Sequence, residues 1–277
     1  MRGRAAWKMR PPKKELTDMP SEEIIIMGYL CFWLAVFGAV WGSFADCAVS
    51  RWAAGERMFT GRSRCPSCGR VLSALDLIPV FGWLFRRGKC AYCHKPIPAD
   101  CLVSELAGAA GFVCAGLRFG LTPALGQWLI WWALLLCLSL TDGAKRLIPD
   151  PLLLALIANR LVWFFALKEE FSAVFDMFRA CLVPLALLAL VLLAERLMGR
   201  EVMGGGDVKL LFALALYLSW AQLLLALLAG CLLGLAWAFL SGGRRGAAVP
   251  FGPFLAAGAA LTVYFGDPLI HWYISLF

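Results

Sequence analysis

The chain of 277 residues is 61% hydrophobic and only 16% charged, and its formal net charge is +8. A soluble globular domain is nearer half apolar and a quarter charged, so this composition excludes an ordinary soluble domain. The apolar segments run to about 20 residues, the length a helix needs to cross a bilayer, which predicts an all-α polytopic membrane protein. In such a protein the basic excess belongs to cytoplasmic loops, so no nucleic acid partner is expected.

Eight apolar segments follow one another and predict about eight transmembrane helices in the lipid bilayer. A polar tail, 1–23, precedes the first segment, 24–45, and a mostly polar insert, 46–100, separates that segment from the remainder, 101–277. The other seven segments are 101–120, 121–141, 151–167, 177–194, two within 208–243 that divide near 219–222, and 250–266. Within these segments Arg160 and Glu105 are candidates for a buried ion pair.

The charges of the loops predict which side of the membrane each loop faces. The insert 46–100 carries nine Lys or Arg residues against four acidic residues. Basic residues collect in cytoplasmic loops, so we expect the insert on the cytoplasmic side. The three later loops predicted on that side, 142–150, 195–207 and 242–249, each carry two bases. The tail would then lie on the opposite side of the membrane, although it carries six bases against four acids. We favour the orientation given by the insert, because the excess of bases over acids is larger there.

Four of the eleven cysteines form two Cys-x-x-Cys pairs, Cys65 with Cys68 and Cys90 with Cys93, separated by 21 residues. Two such pairs at this separation suit a tetrahedral Zn²⁺ ion. A cytoplasmic loop disfavours disulfides, and four thiolates leave the metal no open position for a substrate. We therefore predict a structural zinc that staples an insert too small to fold alone, with redox-active pairs as the alternative.

Asp207 follows three glycines, Gly204, Gly205 and Gly206, at the start of an apolar run that has no charged residue from 210 to 243. An ionisable group at the edge of the hydrocarbon region is a candidate for function. The glycines permit positive φ angles and the close approach of another backbone. Capping of the following helix is the structural alternative for this aspartate.

Asp142 ends the third apolar segment, where its carboxylate faces the negative end of the helix dipole, so a purely structural role explains it poorly. Asp150 precedes Pro151 and is predicted to be the N-cap of the next helix. Asp142 and Asp207 are expected on the same side of the membrane. Two aspartates at hydrogen-bonding distance share one proton and can hydrolyse a peptide bond. The sequence does not assign the acid and the base within such a pair.

Four stretches in order, covering about residues 40–255, resemble the bacterial type IV prepilin peptidases, which are bifunctional leader peptidases and N-methyltransferases. These stretches are Gly42-Ser43-Phe44 running to Arg51; Ser63 to Cys93, with Asp76-Leu77-Ile78-Pro79-Val80 and Gly88-Lys89-Cys90; the loop 142–150; and Gly204-Gly205-Gly206-Asp207, with Val249-Pro250-Phe251-Gly252-Pro253 near the end. Asp46 departs from the pattern, since the family commonly has asparagine there.

The resemblance implies a GxGD-type intramembrane aspartyl protease. The residues it implies are catalytic Asp142 and Asp207, supported by Gly204, Gly205, Gly206 and Asp150. The implied substrates are type IV prepilins or pseudopilins, cut on the cytoplasmic side of the bacterial inner membrane and then N-methylated from S-adenosylmethionine. In the family the cysteine insert goes with methylation, which makes Gly88 and Lys89 candidates there. The sequence leaves a homodimer open.

Two other functions stay open on the sequence alone. The chain can be a small membrane transporter, or a proton or cation pathway protein, with a structural zinc loop. That alternative leaves the Gly-Gly-Gly-Asp stretch unexplained, and the two halves show no inverted repeat. A zinc-stapled scaffold without chemistry is the other alternative. For the protease, a basic leader is expected to dock near acidic residues, of which the candidates are Glu56, Asp76, Glu195 and Glu201.

Overall fold

The computed structural model describes residues 21–58, 61–65, 67–169, 172–199, 203–241 and 250–276. The predicted tail lies outside these ranges except for its last three residues, as do the loop 242–249 and Glu201. The described residues are helical and contain no β-sheet, in agreement with the predicted all-α class.

Nine α-helices make up the described part of the chain. The first four are α1 Ser21–Ala53, α2 Phe81–Phe85, α3 Asp100–Phe119 and α4 Pro123–Lys145. The last five are α5 Asp150–Ala166, α6 Ser172–Met198, α7 Gly205–Ala215, α8 Trp220–Leu240 and α9 Gly252–Ile274. One turn of 3-10 helix, Leu75–Leu77, precedes α2 within the insert.

Each of the eight predicted apolar segments corresponds to one helix, and the short α2 belongs to the insert. Six helices, α1, α3, α4, α6, α8 and α9, are long and apolar enough to cross a membrane. Helix α5 has 17 residues and α7 has 11. An 11-residue helix is about 16 Å long, roughly half of the hydrocarbon core, so helix length supports six crossings rather than the predicted eight.

Helix α1 extends beyond the predicted first segment, which ended at 45. The helix continues to Ala53, so residues 46–53 are helical rather than part of a polar loop. Its 33 residues correspond to about 50 Å, which exceeds the roughly 30 Å of a hydrocarbon core. The end that carries the insert can therefore project beyond the bilayer.

Glycines let α1 and α3 approach each other closely. A Cβ atom on Gly38 would lie 2.3 Å from the carbonyl oxygen of Gly108, and one on Gly42 would lie 2.2 Å from that of Ser104. Small residues spaced four apart allow such contact between membrane helices. Gly42, which belongs to the Gly-Ser-Phe stretch, is therefore required by helix packing.

The core of the bundle is built around α4 and α7. Helix α4 packs against α1, α3, α5 and α9, and α7 lies against α5, α6, α8 and α9. Their fully buried side chains are Trp131, Leu135, Leu138, Leu210, Leu211 and Leu214. From Leu210 to Ala215, α7 carries no polar side chain. A segment that is apolar all round is a buried one, and this part of α7 lies inside the protein despite the short length of the helix.

The Arg160 side chain caps the C-terminal end of α7. Its Nε donates to the carbonyl oxygen of Leu216 at 2.8 Å, and its two terminal nitrogens each donate to the Glu169 carboxylate at 2.6 Å. A cation at this position satisfies an unpaired helix carbonyl and complements the dipole. The predicted pair of Arg160 with Glu105 is wrong, because Glu105 instead accepts a hydrogen bond from the backbone N–H of Val80.

Ser219 begins α8 through a capping box. The Ser219 hydroxyl accepts from the Gln222 backbone N–H at 3.4 Å, and the Gln222 side chain accepts from the Ser219 N–H at 3.1 Å. This reciprocal pair is a strong helix start signal, and the predicted division of 208–243 near 219–222 is confirmed.

Candidate active site

Four helix ends meet at one end of the bundle: the C-terminus of α4 and the N-termini of α5, α7 and α9. The backbone N–H of Gly252, at the start of α9, donates to Oδ2 of Asp142 on α4 at 2.9 Å. A Cβ atom on Gly206 of α7 would lie 3.2 Å from Cβ of Ile148, which belongs to the connection between α4 and α5. Residues distant in the sequence are thereby gathered at one place.

Asp142 lies in the last turn of α4 and is 6% exposed. The helix dipole opposes a negative charge at this end, so the carboxylate needs a donor from elsewhere. Gly252 supplies one, and the contact is tight: a Cβ atom at Gly252 would lie 2.8 Å from Oδ2 of Asp142. The sequence predicted that Asp142 ends a helix, and the structure adds the group that holds its carboxylate.

Asp207 lies half-buried in the first turn of α7, outside the six candidate spans. The N-cap of α7 is Gly204, which has no side chain, and Asp207 lies three residues inside the helix, so the prediction that Asp207 is the capping residue is wrong. Burial, and then the negative charge of Asp142, raise the pKa of the Asp207 carboxyl from 3.8 to about 6. The two acids therefore lie close enough to interact electrostatically.

None of the three glycines before Asp207 adopts a positive φ angle, and of the three only Gly206 lies where an added Cβ atom would be crowded, since a Cβ atom at Gly205 would meet nothing within 4 Å. Gly204 has a φ of −64° in an extended conformation, and Gly205 and Gly206 are helical. A side chain at Gly206 would press on Ile148, and a Cβ atom at Gly204 would lie 3.4 Å from Oδ2 of Asp207. The sequence suggested positive φ angles at these glycines, and the structure does not have them. Close approach of another part of the chain does occur, between Gly206 and the Ile148 side chain.

An ion pair joins the first turns of α5 and α7. Nζ of Lys209 lies 2.8 Å from Oδ1 of Asp150. The N-cap of α5 is Pro149, whose side chain makes no capping hydrogen bond, so the prediction of Asp150 as N-cap is wrong. Asp150 instead contacts the helix turn that bears Asp207, which is consistent with a supporting position.

The insert contains a candidate metal centre. The Sγ atoms of four cysteines lie within 4.8 Å of one another: Cys65, Cys68, Cys90 and Cys93. The Sγ atoms of Cys65 and Cys93 are 3.8 Å apart, as expected for a tetrahedral zinc with Zn–S bonds of about 2.3 Å. The backbone N–H groups of Cys68 and Ser67 lower the pKa of the Cys65 thiol to about 6, which favours the thiolate that a metal binds. The backbone of Lys95 lowers the pKa of the Cys93 thiol, but burial and the neighbouring thiols outweigh it and raise that pKa to about 11, since closely spaced thiolates repel one another.

The two Cys-x-x-Cys turns have the same backbone construction. The N–H of Gly69 donates to the carbonyl of Cys65 at 2.9 Å, and the N–H of His94 donates to that of Cys90 at 3.1 Å. Gly69 and His94 both adopt left-handed conformations, with φ of 69° and 56°. Equivalent turns present their sulfur atoms equivalently, which fits one ion held by both pairs.

The methylation candidates Gly88 and Lys89 adjoin the second cysteine turn. Gly88 has a φ of 68°, and a Cβ atom there would lie 2.7 Å from the Trp83 ring, so the position requires glycine for structural reasons. Lys89 is exposed and its backbone pairs with Pro96 in an isolated bridge. Gly88 thus has a packing role. Of these two candidates, Lys89 is the one with a side chain that solvent can reach.

Asp76, one of the acids expected to dock a basic leader, is already bonded within the insert. Its Oδ2 accepts from the Ser73 hydroxyl at 2.6 Å, and its Oδ1 accepts from Nε of Arg86 at 2.8 Å. The Ser73 hydrogen bond, together with the Arg86 charge, holds the pKa of Asp76 below its usual value. Of the docking candidates, Glu56 is exposed, while Glu201 lies outside the described residues.

Sequence models of two protein families match this chain. The Bacterial Peptidase A24 N-terminal domain matches residues 36–119, and the Type IV leader peptidase family matches residues 128–239. The Prepilin leader peptidase/N-methyltransferase of Bacillus subtilis (strain 168) is 32% identical over 247 residues, which cover 88% of this chain and 97% of that protein. The chain belongs to the type IV leader peptidase family.

Relatives of this leader peptidase from other bacteria carry the same name. The Aeromonas hydrophila protein is 34% identical over 224 residues, covering 78% of this chain and 76% of its own length. The Burkholderia pseudomallei (strain 1026b) protein is 35% identical over 245 residues, covering 85% and 77%. No solved structure matches. The predicted family and enzyme class are confirmed, and they are favoured over the transporter and scaffold alternatives.

Two residues of this leader peptidase enter the site although sequence reasoning did not single them out. Gly252 lies within the Pro-Phe-Gly-Pro stretch, which had contributed only to the resemblance. Lys209 follows Asp207 by two residues. A lysine placed directly before a long apolar run is a sequence feature that could have marked it as part of the site. Neither partner, Asp142 for Gly252 or Asp150 for Lys209, is indicated by local sequence.

Proposed function

We propose that this leader peptidase cleaves the leader of type IV prepilins or pseudopilins with Asp142 and Asp207 as its catalytic pair. The observation that supports the pair is the meeting of both helix ends at one end of the bundle, where Gly252 binds Asp142 and Gly206, next to Asp207, lies against Ile148. Burial and the negative charge of Asp142 also raise the pKa of Asp207 to about 6. A protonated carboxyl beside an ionised one is what an aspartyl protease requires. The names of the relatives support the substrate class.

In this mechanism the ionised carboxylate accepts a proton from water while the water oxygen attacks the scissile carbonyl carbon. The protonated carboxyl donates to the carbonyl oxygen, and a tetrahedral diol forms. The diol collapses when the amide nitrogen receives a proton and the C–N bond breaks. Gly252 holds the Asp142 carboxylate in one orientation, and the Lys209–Asp150 pair supports the turn that carries Asp207.

We further propose that α5 and α7 also cross the bilayer, which makes eight crossings in all, with the first turn of α7 and its Asp207 at the cytoplasmic surface outside the hydrocarbon region. Burial of α7 among the other helices supports this, since a helix shielded by protein need not match the bilayer thickness. The basic loops support a cytoplasmic position for the insert and for both aspartates in the bacterial inner membrane. The proposed parts are the tail before α1, the helix α1 as far as Ala53, the insert between α1 and α3, and the protease domain from α3 onward. A homodimer is part of the proposal.

The same chain is proposed to N-methylate the new N-terminal residue with S-adenosylmethionine, as the names of the relatives suggest. When bound, S-adenosylmethionine supplies an electrophilic methyl group to the free amine. The four clustered cysteines are proposed to hold a structural Zn²⁺, whose coordination they would fill. Such an ion shapes the insert, including the turn with Gly88 and Lys89, and does not contact the substrate.

The test uses the purified protein in lipid nanodiscs with a prepilin substrate and labelled S-adenosylmethionine. Asp142→Asn and Asp207→Asn should each lower the cleavage rate by about 10²- to 10⁴-fold. Both variants should still methylate a synthetic peptide that already begins at the mature N-terminus. Asp176→Asn, an acid of α6 outside the site, serves as the control. Cleavage at the normal rate by either active-site variant would reject the pair.

A further inference from the structure

One segment of the insert, residues 75–85, exposes a concentrated apolar surface. Its exposed large hydrophobic side chains are Leu75, Leu77, Ile78, Phe81, Leu84 and Phe85. Phe85 is 80% exposed. Elsewhere in the described part of 54–99, the exposed large hydrophobic residues are Met58 and Tyr92. A contiguous exposed apolar cluster of this kind marks a contact surface.

Hydrogen bonds fix the backbone of the 75–85 segment, so the exposure of its apolar side chains is a feature of the folded insert. The Asp76 carboxylate binds Ser73 before the segment and Arg86 after it. The N–H of Gly82 donates to the carbonyl of Ile78 at 2.8 Å. The apolar side chains are therefore presented outward by a folded scaffold.

A hydrogen bond fastens the 75–85 segment to a membrane helix. The N–H of Val80 donates to Oε2 of Glu105 at 2.6 Å, and Glu105 is buried in the second turn of α3, a candidate membrane span. Val80 has a φ of 63°, which is unfavourable for a β-branched residue and is maintained here by this contact. Glu105 lies only about 8 Å along the axis from the start of α3, so the segment lies at the level where α3 enters the bilayer.

Basic residues follow the apolar surface directly. Arg86, Arg87 and Lys89 are all exposed. Aromatic and aliphatic side chains beside bases are typical of protein surfaces that lie in the headgroup region of an anionic bilayer. Lysine and arginine are attracted there by the negative surface potential of anionic lipids.

We propose that the 75–85 segment inserts its exposed side chains into the headgroup region of an anionic bilayer and so fixes the insert at the membrane surface. The partner is the lipid surface itself. This role goes beyond the proposed cleavage and methylation, and it depends on α3 crossing the membrane rather than on the identity of the catalytic residues.

Photocrosslinking in phosphatidylglycerol nanodiscs tests the proposal. Phe85 is replaced by p-benzoylphenylalanine, which inserts into nearby C–H bonds on illumination, and lipid adducts are measured by mass spectrometry. The matched control carries the same group at Met58, an exposed hydrophobic residue of the insert outside the 75–85 segment and outside both cysteine turns. We expect about fivefold more lipid adduct at position 85 than at 58. Equal yields, or adducts at 85 with an added prepilin instead of lipid, would overturn the proposal.

A second arm tests the role of lipid charge with the same labelled protein. Replacing phosphatidylglycerol by phosphatidylcholine should lower the adduct yield at position 85 by about twofold or more, because the attraction to Arg87 and Lys89 is removed. An unchanged yield would reject an anionic surface as the partner. Leader cleavage by both labelled proteins verifies that they are folded, so the lipid result is read independently of the active-site assignment.

Discussion

The backbone N–H of Gly252 binds Oδ2 of Asp142 at 2.9 Å, joining residues that are 110 positions apart. The contact fastens the start of α9 to the last turn of α4. It depends on glycine, since even one added carbon would crowd the carboxylate. A backbone donor satisfies the buried oxygen and also limits the rotation of the carboxyl group.

Gly252→Ala should therefore impair cleavage. The new Cβ atom would lie 2.8 Å from Oδ2 of Asp142, and displacing a catalytic group by about 1 Å can cost about 100-fold in rate. The initial rate of leader cleavage measures the effect. Gly143→Ala is the control, because a Cβ atom beside Asp142 at that position meets nothing within 4 Å. Equal rates in the two variants would show that the contact does not position Asp142.

Asp207→Asn should raise the thermal stability of the protein at neutral and alkaline pH. The folded-state pKa of Asp207 is raised to about 6 from 3.8, so the ionised carboxyl destabilises the folded state. This penalty grows as the pH rises from about 4 to about 6, and it is absent below about 4, where both states are protonated. The variant should have the higher Tm at pH 8 and the same Tm as the parent near pH 4.

Intrinsic fluorescence of the twelve tryptophans provides the readout for that comparison. Asp176→Asn, an acid on α6 whose pairing is loose, serves as the matched control. A stability gain at pH 8 that persists at pH 4 would show that the amide acts by some means other than the removal of a charge.

Reversing either charge of the Lys209–Asp150 pair should slow cleavage several-fold with little change in Tm. Their side chains are 59% and 67% exposed, and exposed pairs contribute little to stability. The pair does, however, hold the turn of Asp207 against α5. Combining Lys209→Asp with Asp150→Lys should restore much of the rate, as measured in a double-mutant cycle.

Arg179→Glu offers a control for the charge reversal, since the Arg179–Asp176 pair on α6 is also exposed and lies outside the site. If the Lys209 and Asp150 reversals are additive and the double variant recovers nothing, the pair does not position Asp207.

Cys65→Ser and Cys90→Ser should each reduce bound zinc from about one ion per chain to nearly none, because a four-thiolate site loses much of its affinity with one ligand. Methylation should fall with the metal, whereas cleavage should largely persist because the aspartates lie outside the insert. Elemental analysis and the two activity assays measure this split. Cys231→Ser, an exposed cysteine of α8, should change neither. Full zinc in the Cys65 variant would reject this metal site.

Local patterns were enough to predict the helices and the cysteine cluster. Each apolar segment corresponds to a helix because continuous burial of backbone polar groups requires one in a membrane. The two Cys-x-x-Cys turns came together as their spacing predicted. The break before α8 was also visible, since Ser219 and Gln222 form a capping box within four residues.

The choice of partners could not be predicted in the same way. Arg160 in an apolar segment had to find an acid, but its partner is Glu169 rather than Glu105, and Glu105 holds the strained turn at Val80. Asp150 was expected to cap a helix and instead binds Lys209, 59 residues away. A charge in an apolar segment signals that a partner exists, but helix packing decides which one.

The sequence by itself determined a helical membrane protein with two cysteine turns and two acids at helix ends, because hydrophobic length, ligand spacing and position along a helix are local properties. Only the tertiary structure decided that the start of α9 binds Asp142 and that burial, and then the nearby charge of Asp142, raise the pKa of Asp207. The reason is geometric: glycine contacts between α8 and α9, such as Gly258 against Ala226, set how these helices lie, and no stretch of neighbouring residues encodes that approach.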